Sequence, residues 1–325
     1  MDQNLKKIIP FALKYKKNAI LNIVFNIFYA FFSTLLMVSL IPTLDVLFDK
    51  TTKVLTKPEY TGIGDISKYG QNYLGYYITQ LNNEYGAQYA LMLVVGIVIT
   101  TALLKNIFNY LASFQITILR NGVLKDLREK LYAKIIHLPI SYYSDQRKGD
   151  VMTKMLGDVG EVQNSFFQIL ELVVREPLTI VFSIVAMLAI SVKLTLFVFA
   201  FIPISGFIIS RIGKNLKSKS VRAQNEQGLF ISTLDETLTG LKVVKSYNAE
   251  GSFIQKFNAS LERLLKLSTS IANKNNLASP MSEFLGIVTI AVLLWFGGHM
   301  VLVEHSLKGT DFIGYIALAY TILTP

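Results

Sequence analysis

Between Lys17 and Asp45 the chain runs 27 residues, Asn18 to Leu44, without a charged side chain. A helix needs about 20 apolar residues to cross roughly 30 Å of hydrocarbon, and there the backbone must satisfy its own hydrogen bonds. The stretch therefore predicts a membrane-spanning helix at 18–44. Tyr85 to Leu104 predicts a second, which continues past Lys105 through a further charge-free run to Leu119 and so outreaches the bilayer. Pro177–Val192 and Leu194–Ser210 are separated only by Lys193, as two spans joined by a very tight external turn would be, whereas one span of 34 residues is hard to fit. Phe284–Val303 is the fifth such segment, and Phe312–Pro325 begins a sixth that is still apolar where the sequence stops.

Orientation follows from basic residues, which stay on cytoplasmic flanks during insertion. With the amino terminus inside, the inner segments 1–17, 105–176 and 211–283 hold 26 of the 32 Lys and Arg. The formal charge of +10 is thus read as a topology signal, and no nucleic-acid partner is expected. With no cysteine, disulfides and thiolate metal sites are excluded, and His137, His299 and His305 are too scattered to suggest a metal. A secretory signal is not expected either, because the first apolar run far exceeds the usual length of about 7 to 15 residues. Residues 1–17 place Leu5, Ile8, Ile9 and Ala12 at helical spacing beside Lys6, Lys7 and Lys14. This predicts an interfacial helix on the inner leaflet. A plain basic flank is the alternative, since Pro10 interrupts the pattern.

Two long cytosolic excursions, 120–176 and 211–283, separate the spans and lack the Gly, Pro and Ser richness of linkers. Leu124, Leu127, Leu131 and Ile135 share a helix face that Pro139 ends, and Val151, Met155, Val159 and Val162 form another leading to the third span. Leu234, Leu238, Leu241 and Lys245 continue a helix to a break at Tyr247–Gly251, after which Phe253, Phe257, Leu261 and Leu264 lead into the fifth span. The fold class is therefore an all-α membrane protein with six spans and long cytosolic helix extensions. Rods of this kind transmit displacement along their axes; periodicity alone equally fits a folded cytosolic subdomain.

The excursions also carry motifs. The first reads Leu127-Arg128-Glu129-Lys130-Leu131-Tyr132, then Leu138-Pro139-Ile140-Ser141-Tyr142-Tyr143, then Gly149-Asp150-Val151 and Gly157-Asp158-Val159. The second reads Glu236-Thr237-Leu238-Thr239-Gly240-Leu241-Lys242-Val243-Val244-Lys245-Ser246-Tyr247-Asn248-Ala249-Glu250, followed by Phe257. In this ordered set the sequence resembles, over essentially all of residues 1–325, the transmembrane domain of multidrug-exporter-type (type I exporter) ABC transporters.

That resemblance implies a short coupling helix in each excursion, contacting nucleotide-binding domains. One would comprise Ser141, Tyr142, Tyr143, Ser144, Asp145, Gln146 and Arg147. The other would comprise Val221, Arg222, Ala223, Gln224, Asn225, Glu226, Gln227, Gly228 and Leu229. It further implies a homodimer or heterodimer of half-transporters, with the hairpin of the fourth and fifth spans crossing to the partner. Gly149, Asp150, Asp158, Glu236, Gly240 and Glu250 are its loop-motif residues, read as helix-positioning and loop-pairing groups; no catalytic residue is expected. A phosphate-cradling loop needs Gly-x-x-x-x-Gly-Lys-Ser/Thr. The only Gly-Lys pair, Gly213-Lys214, has Ile208 where the upstream glycine belongs and is followed by Asn215. No cofactor is therefore expected on this chain. ATP and Mg would belong to a nucleotide-binding domain beyond residue 325, and the sixth span is expected to be truncated.

Charges inside a membrane are costly and commonly functional. Lys105 interrupts the second apolar run, and Arg175 stands in Val173-Val174-Arg175-Glu176 just before the third. Both settings are similar to those of basic residues in the lipid A flippases of Gram-negative bacteria, a branch of the same family. That likeness implies a bacterial inner-membrane exporter in which Lys105 and Arg175 hold anionic lipid headgroups. The residues alone equally allow Lys105 to snorkel to the inner interface and Arg175 to pair with Glu171 or Glu176. Drug or peptide export by the same scaffold, or a membrane scaffold without ATP coupling, remain alternatives. A passive channel or ion-coupled carrier would call for acids inside the spans, and the charge-free runs hold none.

Overall fold

A computed structural model describes residues 10–48, 58, 66–140, 151–152, 155, 157 and 159–323. Every regular element longer than one turn among them is helical: α1 Lys16–Val38, α2 Leu40–Leu47, α3 Ile66–Tyr85, α4 Ala87–Ile136, α5 Val159–Ile190, α6 Val192–Thr239, α7 Leu241–Ser246, α8 Glu250–Leu302 and α9 Gly309–Leu323. Among the described residues four stretches are long and apolar enough to cross a membrane: Lys16–Leu47, Ala87–Ile136, Val173–Ile190 and Glu250–Leu302. The segment 194–210 lies within α6. The segment from residue 312 onward opens in α9, which has 15 residues. The protein is all-α.

The chain divides into two compact units, one comprising Met1–Val192 with Met300–Leu323 and the other Lys193–His299. In the first, α1 runs antiparallel to α4. Contacts climb one helix as they descend the other: Lys14 to Asp126, Asn18 to Gln115, Asn22 to the Ala112 carbonyl, and Phe25 and Phe28 to Phe108. Interhelical hydrogen bonds of this sort contribute about 0.6 kcal/mol each in membrane proteins. They therefore set register more than stability. α4 is one helix of 50 residues, about 75 Å at about 1.5 Å per residue. The bilayer takes up less than half of that, so the rest is a rod outside it. The helix stops at Ile136, short of Pro139, because the residue before a proline is forced away from helical geometry.

At the amino-terminal end Phe11, Ala12, Tyr15 and Ala19 pack on Leu119 and Val123 of α4. The Tyr15 ring lies directly over Gly122, where a Cβ would stand 2.3 Å from Tyr15 Cζ. Lys14 donates to Asp126 at 2.9 Å, and this hydrogen bond raises the lysine pKa above its ordinary value. Lys130 lies 5.1 Å from the centre of the Phe11 ring. Together these contacts fasten the segment before α1 to the rod.

The connection between the first two spans is not all loop: α3 occupies 20 residues of it. Leu74 and Ile78 pack with Val46 of α2 and with Ala90, Leu93 and Val94 of α4. α9 packs on α5 and α2. Ser183 and Thr321 share a hydrogen bond of 3.3 Å, and a Cβ at Gly314 would stand 2.3 Å from Ile41 Cγ1.

The second unit is an antiparallel hairpin of α6 and α8. Its cross-contacts recede evenly from the turn: Glu236 to Lys256 at 2.7 Å, Phe230 to Phe257, Glu226 to Arg263 at 3.1 Å, and Lys219 to Ser270. Phe197 stacks on Phe296, ring centroids 4.4 Å apart, towards the far end. The turn consists of Gly240, α7 and residues 247–249, with Asn248 at φ 48, a left-handed conformation that asparagine tolerates better than most residues. The break expected at Tyr247–Gly251 is found at 247–249, and a second occurs at Gly240. The separate short helix expected at Val221–Leu229 is not present, because these residues lie inside α6. Gly228 is the most helix-weakening residue among them, at a cost of about 1 kcal/mol, which the flanking turns of a 48-residue helix absorb.

Candidate functional site

The two basic residues singled out in the sequence, on α4 and α5, converge on a third side chain from α1. Arg175 Nη2 donates to the Tyr29 hydroxyl at 2.8 Å, and its guanidinium carbon lies 4.5 Å from the centre of the Tyr29 ring. Lys105 Nζ lies 5.7 Å from the same centre. Tyr29 is 8% exposed, whereas the Arg175 side chain keeps 31% of its surface open.

Tyr29 belongs to a polar stripe on an otherwise apolar helix. Asn22, Asn26, Tyr29 and Ser33 recur at intervals of three and four, so they share one face, and all four are buried. Asn22 and Asn26 are tied down by hydrogen bonds to the Ala112 carbonyl and the Asn22 carbonyl. The remaining surroundings are aromatic: Phe28 and Phe32 stack on Phe108, one turn along α4 from Lys105, and Phe31 meets Phe182 of α5 edge-on. Cation–π contacts strengthen towards about 2 kcal/mol where water is excluded.

The two cations differ in their acidic neighbours. Arg175 Nε is 3.9 Å from Glu176 Oε1, too long for a hydrogen bond. Among the described residues no carboxylate or hydrogen-bond acceptor engages the Lys105 ammonium. No group of three or more metal-ligating side chains occurs among the described residues.

Of the other residues singled out in the sequence, Ser141, Tyr142, Tyr143, Ser144, Asp145, Gln146, Arg147, Gly149, Asp150 and Asp158 lie outside the described residues. Glu226 is engaged by Arg263, Glu236 by Lys256 and Glu250 by Lys245 at 2.9 Å. The hydrogen bond from Lys245 draws the Glu250 pKa below the ordinary carboxylate value. Gly240 marks the end of α6. The tip of the hairpin, around α7, presents apolar groups: Leu238 and Val243 are exposed, and Tyr247 is 80% exposed. A separate cavity of about 360 Å³ opens where Asp45, near the end of α2, meets Val301 and the Leu307–Thr310 segment; no residue singled out in the sequence lines it.

The fold is a helical membrane scaffold in which two cationic side chains meet between spans and one helix outreaches the bilayer. The family model described as the ABC transporter transmembrane region matches residues 19–325, and the chain belongs to that family. It is similar to the transmembrane domains of type I ABC exporters. Among similar proteins are ATP-dependent lipid A-core flippases from Syntrophus aciditrophicus, 25% identical over 68% of this chain and 37% of the relative, and from Paraburkholderia xenovorans, 26% identical over 70% and 37%. A third, from Pseudoalteromonas translucida, is 26% identical over 73% of this chain and 40% of the relative. The chain thus spans about two fifths of the length of the curated relatives it matches.

Proposed function

We propose that this chain forms the translocation pathway of an ATP-driven exporter in a bacterial inner membrane, amino terminus inside, and that it moves an anionic amphipathic lipid outward. The observation that carries this reading is the convergence of Lys105 and Arg175 on Tyr29, with Glu176 the one carboxylate near either cation among the described residues and too far from Arg175 Nε for a hydrogen bond. Depth agrees with it. Lys105 lies 16 residues from Tyr89, about 24 Å along α4 at about 1.5 Å per residue. With the tyrosines Tyr85 and Tyr89 at the outer interface, where such rings concentrate, the cationic site falls near the inner edge of the hydrocarbon. An inner-leaflet headgroup sits at that level. Ile99, Leu103, Ile107, Tyr110 and Phe114 form an exposed apolar stripe on α4 for acyl chains. The resemblance to lipid A-core flippases favours lipid A or a related lipid.

ATP-driven closure of two nucleotide-binding domains, one associated with each half-transporter, would displace the rods. The site would then alternate between inward and outward access because ATP binds the two states unequally. The exposed tip at α7 is the surface that such a domain would grip, with Tyr247 as an amphipathic knob. The second copy, identical or not, completes the chamber. The test is lipid A-stimulated ATP hydrolysis by the assembled transporter in nanodiscs. Lys105→Ala and Arg175→Ala should each blunt the stimulation while leaving basal hydrolysis in place; full stimulation in both variants rules the headgroup reading out.

A further inference from the structure

We propose that Tyr29 is the positioning residue of this site, acting through Arg175; the proposal rests on the headgroup reading above. An arginine on a membrane helix has several rotatable bonds and a planar fork whose usefulness depends on its direction. Two contacts from one side chain fix that direction here. The Tyr29 hydroxyl accepts from Nη2, which sets one edge of the fork, and the Tyr29 ring lies against the guanidinium, which sets its plane. Glu176 does not do this work, because at 3.9 Å it contributes charge but no directed bond.

The tyrosine is itself immobile. It is almost fully buried, lies on the α1 stripe anchored by Asn22 and Asn26, and sits among rings that stack on Phe108. Lys105 approaches the same ring, so the two cations are no farther apart than the sum of their distances to its centre. In an apolar setting like charges repel each other, and the negative ring face offsets part of that repulsion. An anion offsets the rest on arrival. Tyr29 thereby joins charges carried on two different helices into one site, with the fork of Arg175 already set when the anion comes. Pre-setting of this kind raises affinity by removing an ordering cost from the binding step.

The experiment uses the chain in nanodiscs, with phosphatidic acid as the anionic probe and diacylglycerol as its phosphate-free counterpart, bound lipid being counted by native mass spectrometry. Tyr29→Phe keeps the ring and removes only the hydroxyl. It should weaken phosphatidic acid binding about two- to tenfold, the cost of ordering one long side chain on binding, and leave diacylglycerol unchanged. Arg175→Ala should weaken it at least as much, and adding Tyr29→Phe to Arg175→Ala should change nothing more, because the tyrosine acts through the arginine. A loss equally large in the Arg175→Ala background, or no loss in the wild-type background while Arg175→Ala still weakens binding, overturns the role of Tyr29 and spares the headgroup reading. Unimpaired phosphatidic acid binding in both Lys105→Ala and Arg175→Ala overturns the two together.

Discussion

Gly122→Ala offers a direct probe of how the segment before α1 is fastened to the α4 rod. The new methyl group would stand 2.3 Å from Tyr15 Cζ, 2.4 Å from Cε1 and 2.8 Å from the hydroxyl, well inside van der Waals contact. The ring has to tilt away or leave its seat on Leu119 and Val123. Overpacking of this kind costs about 1–3 kcal/mol. In a helix interior the same substitution gains about 1 kcal/mol from propensity, but α4 is helical whether or not the segment is docked, so that gain cancels from the docking equilibrium. Trypsin reads the equilibrium through cleavage after Lys14, Lys16 and Lys17, and when docking is fast the rate follows the undocked population. The Gly122→Ala protein should be cut roughly five- to a hundredfold faster at these sites, as that free-energy range implies. In a Tyr15→Ala background the same change should have no effect, since nothing remains to collide with. Equal acceleration in both backgrounds, or none in either, would refute the seating of Tyr15 on Gly122.

Two further outcomes follow from the packing. Gly314→Ala should lower thermal stability by about 1–3 kcal/mol, because its Cβ would lie 2.3 Å from Cγ1 of the buried Ile41; combined with Ile41→Ala, the pair should cost less than the sum of the single changes in a melting experiment. The Lys14 pKa is raised by the hydrogen bond to Asp126, so the docking contribution is complete below the ordinary lysine value of about 10.4 and is lost as pH climbs through the higher docked value. A spin label at the exposed Leu13 should gain mobility above that pH in the wild type, whereas in Asp126→Asn its mobility should be independent of pH there.

Much of the architecture is legible in the sequence because membrane helices answer to a simple demand: long runs without charge. That demand places α1 and the membrane part of α4, and Pro139 and the 247–249 break bound the rods for reasons local to the chain. α3 escapes notice because its composition is near neutral in hydropathy and includes two glycines. The spacing of Leu74, Ile78 and Leu81 is the signal that could have revealed it. The interruption of the α6–α8 hairpin is misplaced when a family pattern is laid on Val221–Leu229, whereas Gly240 is where the chain itself weakens the helix.

At the site, Lys105 and Arg175 announce themselves by their cost in an apolar run. Tyr29 does not, because a tyrosine within a span is inexpensive. Its clue was periodic: Asn22, Asn26, Tyr29 and Ser33 fall on one face of a charge-free helix, and such a polar stripe has to be turned from lipid towards partners. Which partners it meets depends on the register of α1 on α4, which no local pattern contains. The seats of Tyr15 on Gly122 and Ile41 on Gly314 are hidden for the same reason, since each joins residues remote in the chain.

The central claim, that a cationic site between α1, α4 and α5 carries a lipid headgroup through an ATP-driven cycle, is tested most directly by movement itself. Proteoliposomes holding the chain assembled with its nucleotide-binding domains would be loaded with lipid A, and its arrival in the opposite leaflet followed after ATP is added. The account predicts transfer that requires ATP hydrolysis and disappears when Lys105 and Arg175 are both replaced by alanine. Transfer at the same rate in that double variant, or at the same rate without ATP, would contradict it.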